Sequence, residues 1–154
     1  MGHAHKGLAV VKSDCLTRPA LFQALRQRQC YATTGARILL QLELAEAEMG
    51  NELFADAALC RRRLINVTCS LHNASYASAI LLRNGKEIAR QQNSQPASPG
   101  SILNFQFVDE QPLAQVACRN AHYHPEPFVC YYLRIEDNFA NHCWSSPIWL
   151  DLKE

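Results

Sequence analysis

Apolar residues first follow a helical spacing along this chain and later an alternating one. In residues 17–35, Leu21, Phe22 and Leu25 are spaced to lie along one face of a helix. Gly35 follows, and glycine readily adopts the positive φ that a sharp reversal needs. The segment therefore predicts one amphipathic helix, then a tight turn into a strand.

The start of this helix carries its own signals. Thr17 suits the N-cap position, and Pro19 falls in the first turn, where its missing N–H costs little. Before the helix, Leu8–Val11 is a short continuous apolar run, typical of a strand that is buried on both faces. A strand leading directly into a helix suggests the end of an α/β unit.

From Ile38 onward the pattern alternates and indicates β-structure. Asn84-Gly85 is a strong signal for a two-residue hairpin, whereas residues 45–60 are ambiguous between helix and turn. The strands predicted by alternation span residues 38–44, 64–71, 78–83, 86–91, 102–108, 115–119, 128–135 and 147–152. We expect 128–135 to be central and 147–152 to close the sheet as an edge strand. About seven short strands at this spacing predict a mainly β fold, an antiparallel immunoglobulin-like β-sandwich.

Composition and charge narrow the class of protein. A length of 154 residues with 48% hydrophobic content suits one domain, or one domain with part of another. The net charge of +1 argues against nucleic-acid binding and against an anionic membrane surface. The only basic cluster, Arg61-Arg62-Arg63, is interpreted as solvent-exposed charges at the edge of a strand. No apolar run reaches the length of roughly twenty residues that crosses a bilayer.

The cysteines and the N-terminus point to a cytoplasmic location. The seven cysteines are odd in number and irregularly spaced, and no secretory signal is recognisable at the N-terminus. We therefore expect reduced thiols and no disulfides, with Cys69 and Cys130 as small core residues.

Several segments resemble a known family when they are taken in order. They are LTRPALFQAL at 16–25, RQCYATTGARI at 28–38, Met49-Gly50, YYLRIEDN at 131–138 and WSSPIW at 144–149. Together they resemble the C-terminal region of a family of uncharacterised proteins related to the PHP (polymerase and histidinol phosphatase) metallophosphoesterases. The resemblance spans most of residues 3–152.

The resemblance implies a protein of several parts. Such proteins carry an N-terminal α/β barrel-like domain, which binds divalent metals and is thought to hydrolyse phosphoesters, followed by a β-sandwich. Residues 1–35 would be a strand–helix remnant of the metal domain, and residues 36–154 an accessory sandwich. The implied partner is the missing α/β domain, or another protein that covers Leu21, Phe22 and Leu25.

The same resemblance suggests a metal ligand and a turn near the substrate. The family's late Ser-Asp-x-His-x-Gly segment corresponds here to residues 2–7, which places His5 at the histidine position without the acidic residue, and His3 is a weaker ligand. The Thr33-Thr34-Gly35 turn could approach the active site of a complete family protein. A metal-activated hydroxide needs three or more protein ligands, so we expect this chain alone to bind no metal tightly and to be inactive.

Three alternatives remain open from the residues. His3-x-His5 could open a PHP barrel, or it could give adventitious metal affinity as a degenerate metal-binding protein. The chain could also be a stand-alone sandwich that acts as a binding or interaction module. A zinc site is not favoured, because its candidate ligands are loosely spaced; they are Cys118, His122, His124, His142 and Cys143. A catalytic thiolate at Cys30 or Cys143 lacks an obvious activating setting.

Overall fold

In the part of the chain that the structure describes, the fold has two short helices and two sheets, which are antiparallel apart from one parallel strand pair. A computed structural model describes residues 7–71, 76–93, 98, 100–120, 122 and 124–153. Its elements in chain order are β1 (Leu8–Val11), α1 (Arg18–Arg26), β2 (Cys30–Thr33), β3 (Ile38–Leu44), β4 (Ala47–Glu48), β5 (Glu52–Phe54), β6 (Arg63–Leu71), β7 (Tyr76–Arg83), β8 (Lys86–Gln92), β9 (Ile102–Asp109), α2 (Leu113–Val116), β10 (Phe128–Asp137), β11 (His142–Ser145) and β12 (Ile148–Asp151).

The larger sheet, sheet A, is organised around β10. On one side β10 pairs with β7, which continues to β8. On the other side its second half pairs with β11, which leads to β2 and β1, and its first half pairs with β12, which leads to β5. The predicted hairpin is present, because Asn84 (φ 51°) and Gly85 (φ 81°) form the turn between β7 and β8.

The smaller sheet, sheet B, has the order β4-β3-β6-β9 and packs against sheet A. Alternation along each strand supplies the core, as the sequence predicted for β3 and β6. The inward residues of these two strands are Ile38, Leu40, Leu42, Leu44, Ile65, Val67, Cys69 and Leu71. Sheet A contributes the inward residues of β10 and β12, including Val129, Leu133, Ile135, Ile148 and Leu150. The prediction of a mainly β, antiparallel sandwich is confirmed.

Three predictions about individual strands are wrong. Strand β1 lies at an edge of sheet A with its first residues exposed, so it is not buried on both faces. Residues 115–119 do not form a strand, since Leu113–Val116 is a short helix and only Cys118 forms an isolated bridge to Phe128. The last strand, β12, is not an edge strand, because β10 and β5 flank it.

Two side chains also depart from their expected positions. Arg63 is fully buried, so the interpretation of Arg61-Arg62-Arg63 as solvent-exposed charges is wrong for its third residue. Cys130 is half-buried on the outer face of sheet A rather than in the core, whereas Cys69 is a core residue.

The proposed boundary at residue 35 does not coincide with a break in sheet A. Strand β1 pairs with β2, and Tyr31 to Thr33 of β2 pair with residues 143–145 of β11. Residues on both sides of position 35 therefore share one sheet, and the division into 1–35 and 36–154 stays a prediction. Neither helix in the described ranges has the length and apolar character needed to cross a membrane.

Candidate interaction surface

Helix α1 is fixed to the sandwich at its C-terminal end. Thr17 caps its start as predicted, accepting a hydrogen bond from Ala20 N at 3.5 Å. After the helix, Arg28 adopts φ 57° and its Nε donates to Gly50 O at 2.9 Å. Its Nη2 also pairs with Glu52 Oε1 at 2.7 Å. These contacts hold the helix against the turn that joins β4 and β5.

The outward side of α1 leaves apolar side chains in solvent. Ala24 is the buried contact of the helix, and Leu21 is half-buried. In contrast, Phe22 is 58% exposed and Leu25 is 48% exposed. The guanidinium of Arg26 lies 4.7 Å from the centroid of the Phe22 ring. A cation–π contact of this kind covers only part of the ring, so the helix keeps an uncovered apolar face.

A groove of about 420 Å³ lies where the end of β1 faces sheet B. Its apolar wall is formed by Val10, Val11, Met49, Leu39 and Ile102. The last two are 66% and 69% exposed, a high exposure for side chains of this size. We call the uncovered face of α1 (Phe22, Leu25) and this groove together the α1–β1 surface.

One rim of the groove is polar and held in place. Lys12 lines the groove and pairs with Glu48 Oε2 at 2.5 Å, which ties the end of β1 to β4. Ser13, Gln41 and Thr68 add hydroxyl and amide groups to the lining. An apolar wall with a few polar groups is typical of surfaces that bind peptides or other proteins.

The metal ligands suggested by the resemblance cannot be placed. His3 and His5 lie outside the described residues, so both stay predictions. Within the described ranges, no group of three His, Cys, Asp or Glu side chains could hold a metal ion. Of the zinc candidates, His142 and Cys143 point to opposite faces of β11, as adjacent strand residues must, and Cys143 is fully buried.

Thr33 and Thr34 stabilise the turn between β2 and β3. The Thr33 hydroxyl donates to Ala36 O at 2.8 Å and accepts from Gly35 N at 3.0 Å. The Thr34 hydroxyl accepts from His142 N at 2.9 Å. Both hydroxyls thus have partners within this chain, and their proximity to a substrate stays a prediction.

Of the two cysteines considered as nucleophiles, Cys143 lies in an unfavourable setting for a thiolate. Burial raises the pKa of Cys143 to about 12, with a further contribution from Cys69. Burial likewise raises the pKa of Cys69 to about 11. Cys30 begins β2 with its Sγ 3.8 Å from Ser146 Oγ. None of these contacts supplies the cationic neighbour that activates a catalytic cysteine.

We expect thiol labelling to follow this burial. With an aromatic disulfide reagent at pH 8, exposed Cys15 should react first, whereas Cys69 and Cys143 should stay unmodified until urea unfolds the protein. Mass spectrometry of labelled peptides measures the order, and Cys15→Ser should remove the fastest phase. Labelling of Cys143 in the folded protein as fast as Cys15 would contradict its buried position.

Comparisons with known proteins agree with an uncharacterised family. Residues 2–66, which include β1, α1 and β2, match the family described as "Protein of unknown function (DUF3604)". Uncharacterised proteins of Chlamydia trachomatis and Chlamydia muridarum are each 34% identical to the chain over 148 and 149 residues. A Chlamydia pneumoniae protein is 34% identical over 147 residues. The matches cover 95% of this chain but only 23% of each relative.

Proposed function

We propose that this chain is the accessory β-sandwich of a larger PHP-like metal-dependent phosphoesterase, corresponding to its C-terminal portion. In this proposal the sandwich carries no complete active site. Its α1–β1 surface docks on the α/β metal domain, where it stabilises that domain or narrows access to the metal site. Divalent metals would be bound by the metal domain, to which His5 contributes at most one ligand.

The uncovered apolar face of α1 is the observation that carries this proposal. A helix of one strong apolar stripe normally turns that stripe toward a core. Here Phe22 and Leu25 face solvent instead, and neither belongs to the core that the two sheets form. Because each side chain is already about half covered, burying the rest would contribute about 1–1.5 kcal/mol each. Leaving both exposed is explained if another domain covers them.

The comparisons support a larger parent. Relatives of which the chain spans only 23% contain extensive polypeptide outside the matched segment, and that polypeptide is the occupant we propose for the α1–β1 surface. The family match at residues 2–66 includes both elements of this surface. The phosphoesterase activity itself rests on the resemblance described above.

A second candidate function is favoured by the groove. Strand β1 pairs with β2 on one side only among the described strands, and its end lines the groove. An extended peptide could add to this edge as a further strand, with apolar side chains in the groove. The chain would then act as a stand-alone binding module without catalysis.

An association experiment tests the main proposal. The polypeptide of the Chlamydia trachomatis relative outside the matched segment is produced alone and titrated with this chain by calorimetry. We expect binding in the micromolar range, weakened at least tenfold by the double variant Phe22→Asp with Leu25→Asp, because two charges would be buried at the interface.

The control variant is Phe139→Asp, which alters a comparably exposed phenylalanine in the turn after β10 and should leave the binding unchanged. Circular dichroism checks that both variants stay folded.

The relative's separate polypeptide should hydrolyse bis(p-nitrophenyl) phosphate with Mn²⁺. Absence of binding, or hydrolysis by this chain alone, would refute the proposal.

A further inference from the structure

A second cavity lies on the outer face of sheet A, and it shares no lining residue with the α1–β1 surface. It has a volume of about 210 Å³ and is lined by Glu52, His124, Phe128, Trp149 and Asp151. Strand register brings these residues together, since Phe128 is opposite Asp151 in the β10–β12 pair and Trp149 is opposite Glu52 in the β12–β5 pair. The loop before β10 adds His124.

Aromatic rings form much of the cavity wall. The centroids of Phe128 and Trp149 lie 5.3 Å apart, with an interplanar angle of 55°. His124 packs edge-on against Phe128, at 5.6 Å and 70°. Ring faces attract cations, and tryptophan does so most strongly. The neighbouring strand β5 already displays this chemistry, because Lys153 Nζ lies 4.7 Å from the centroid of the Phe54 ring.

The wall also contains a buried carboxylate. The Asp151 side chain is 8% exposed, and His124 Nε2 lies 3.6 Å from its Oδ2. His124 Nδ1 is 3.0 Å from the carbonyl of Glu126. Because a carbonyl only accepts, Nδ1 carries a proton, and in the neutral ring Nε2 then has none to donate to Asp151.

With a neutral His124 ring, no described residue donates a hydrogen bond to the Asp151 carboxylate. A buried carboxylate without a donor is costly, and burial correspondingly raises the pKa of Asp151. His124 lowers this pKa, whereas Glu52 and Glu126 add negative charge nearby that raises it, and the net shift is upward. Glu52 is itself paired with Arg28. The cavity therefore favours a cation and disfavours an anion.

We propose that this cavity binds an organic cation, an alkylammonium or guanidinium group of the kind that ends a lysine or arginine side chain. The Asp151 carboxylate acts as its counter-ion, and the faces of Trp149 and Phe128 contact its charged head. A cavity of about 210 Å³ accommodates such a head group with part of its alkyl chain. The site is separate from the α1–β1 surface, so its test is independent of the proposed function.

Tryptophan fluorescence provides a direct test. The chain has two tryptophans, and Trp144→Phe leaves Trp149 as the single reporter. At constant ionic strength, n-butylammonium should change this fluorescence saturably in the millimolar range, whereas neutral n-butanol should not. In the same background, Asp151→Asn should weaken n-butylammonium binding at least tenfold. The matched control is Glu136→Gln, on the same face but outside the cavity, which should bind like the parent.

Further arms separate the possible sources of the cation. Tighter binding of N-acetyl-lysine N-methylamide than of n-butylammonium would support a side chain of a peptide as the natural occupant, and equal binding would support a free amine. If Asp151→Asn does not fold, Phe128→Leu should still weaken binding by removing one ring. Equal responses to amine and alcohol, or unchanged binding in a folded Asp151→Asn or Phe128→Leu variant, would refute the proposal.

Discussion

Replacing Asp109 by asparagine is expected to destabilise the protein by about 3–5 kcal/mol, the usual effect of breaking a buried ion pair. Asp109 in β9 accepts from Tyr131 Oη and Arg83 Nη1, both at 2.7 Å, and lies 3.0 Å from Arg63 Nη2. Arg63 also donates to Tyr131 Oη at 3.1 Å. Since Arg63 and Asp109 belong to sheet B and the other two to sheet A, this network joins the sheets. Asparagine would leave Arg63 buried without its counter-charge.

The pH dependence of this effect follows from the Asp109 pKa. Burial alone would raise that pKa, but hydrogen bonds from Tyr131, Arg83 and Arg63 outweigh it and lower the pKa below its ordinary value. A depressed carboxyl pKa stabilises the folded state above the unfolded pKa of about 3.9 and loses this contribution as the pH falls through the folded pKa. Urea unfolding should therefore show a large difference between parent and Asp109→Asn at pH 7 and a smaller one near pH 3.

A matched control lies one residue beyond the ends of β6 and β9. Arg62 and Glu110 form an ion pair at 3.1 Å with more than half of each side chain exposed. Glu110→Gln should change the free energy of unfolding by less than about 1 kcal/mol, because exposed pairs are screened by water. If Asp109→Asn and Glu110→Gln had equal effects, the buried network would not be a principal link between the sheets.

The buried network illustrates what the sequence allowed and what it concealed. Alternation predicted β6 and its inward residues correctly, and Arg63 stands in phase with Ile65 on that same inward face. Asp109 is likewise in phase with Phe107. The alternating pattern therefore already placed both charged residues on inward faces. The run of three consecutive arginines nevertheless looks like a surface cluster. Only the partner strands, distant in sequence, reveal that a charge at this position is neutralised.

The candidate sites were predictable to different extents. The amphipathic stripe of α1 can be read from the sequence, and its cap at Thr17 was predicted correctly. Whether the stripe is covered depends on how β1 and β2 join sheet A, which no local pattern specifies. The cation cavity combines Phe128, Trp149 and Asp151 through the pairing of β10 with β12. The register between strands that are distant in sequence is set by tertiary packing. The sequence therefore identifies the aromatic residues but does not predict how they are arranged in space.

Gly50→Ala is expected to destabilise the protein by about 2–5 kcal/mol, combining backbone strain with overpacking. Gly50 has φ +93°, and a Cβ there would lie 2.5 Å from Arg28 O and 2.7 Å from Gln27 O. These are backbone atoms at the end of α1, so the helix would have to move away from the turn between β4 and β5.

Gly85→Ala separates the two causes, since Gly85 has φ +81° but open space around it. The Gly85→Ala variant should lower the free energy of unfolding only by the backbone strain, about 1–2 kcal/mol. Thermal and urea unfolding of both variants measure the difference, and a Gly50→Ala effect no larger than that of Gly85→Ala would show that α1 is not held by close contact at this turn.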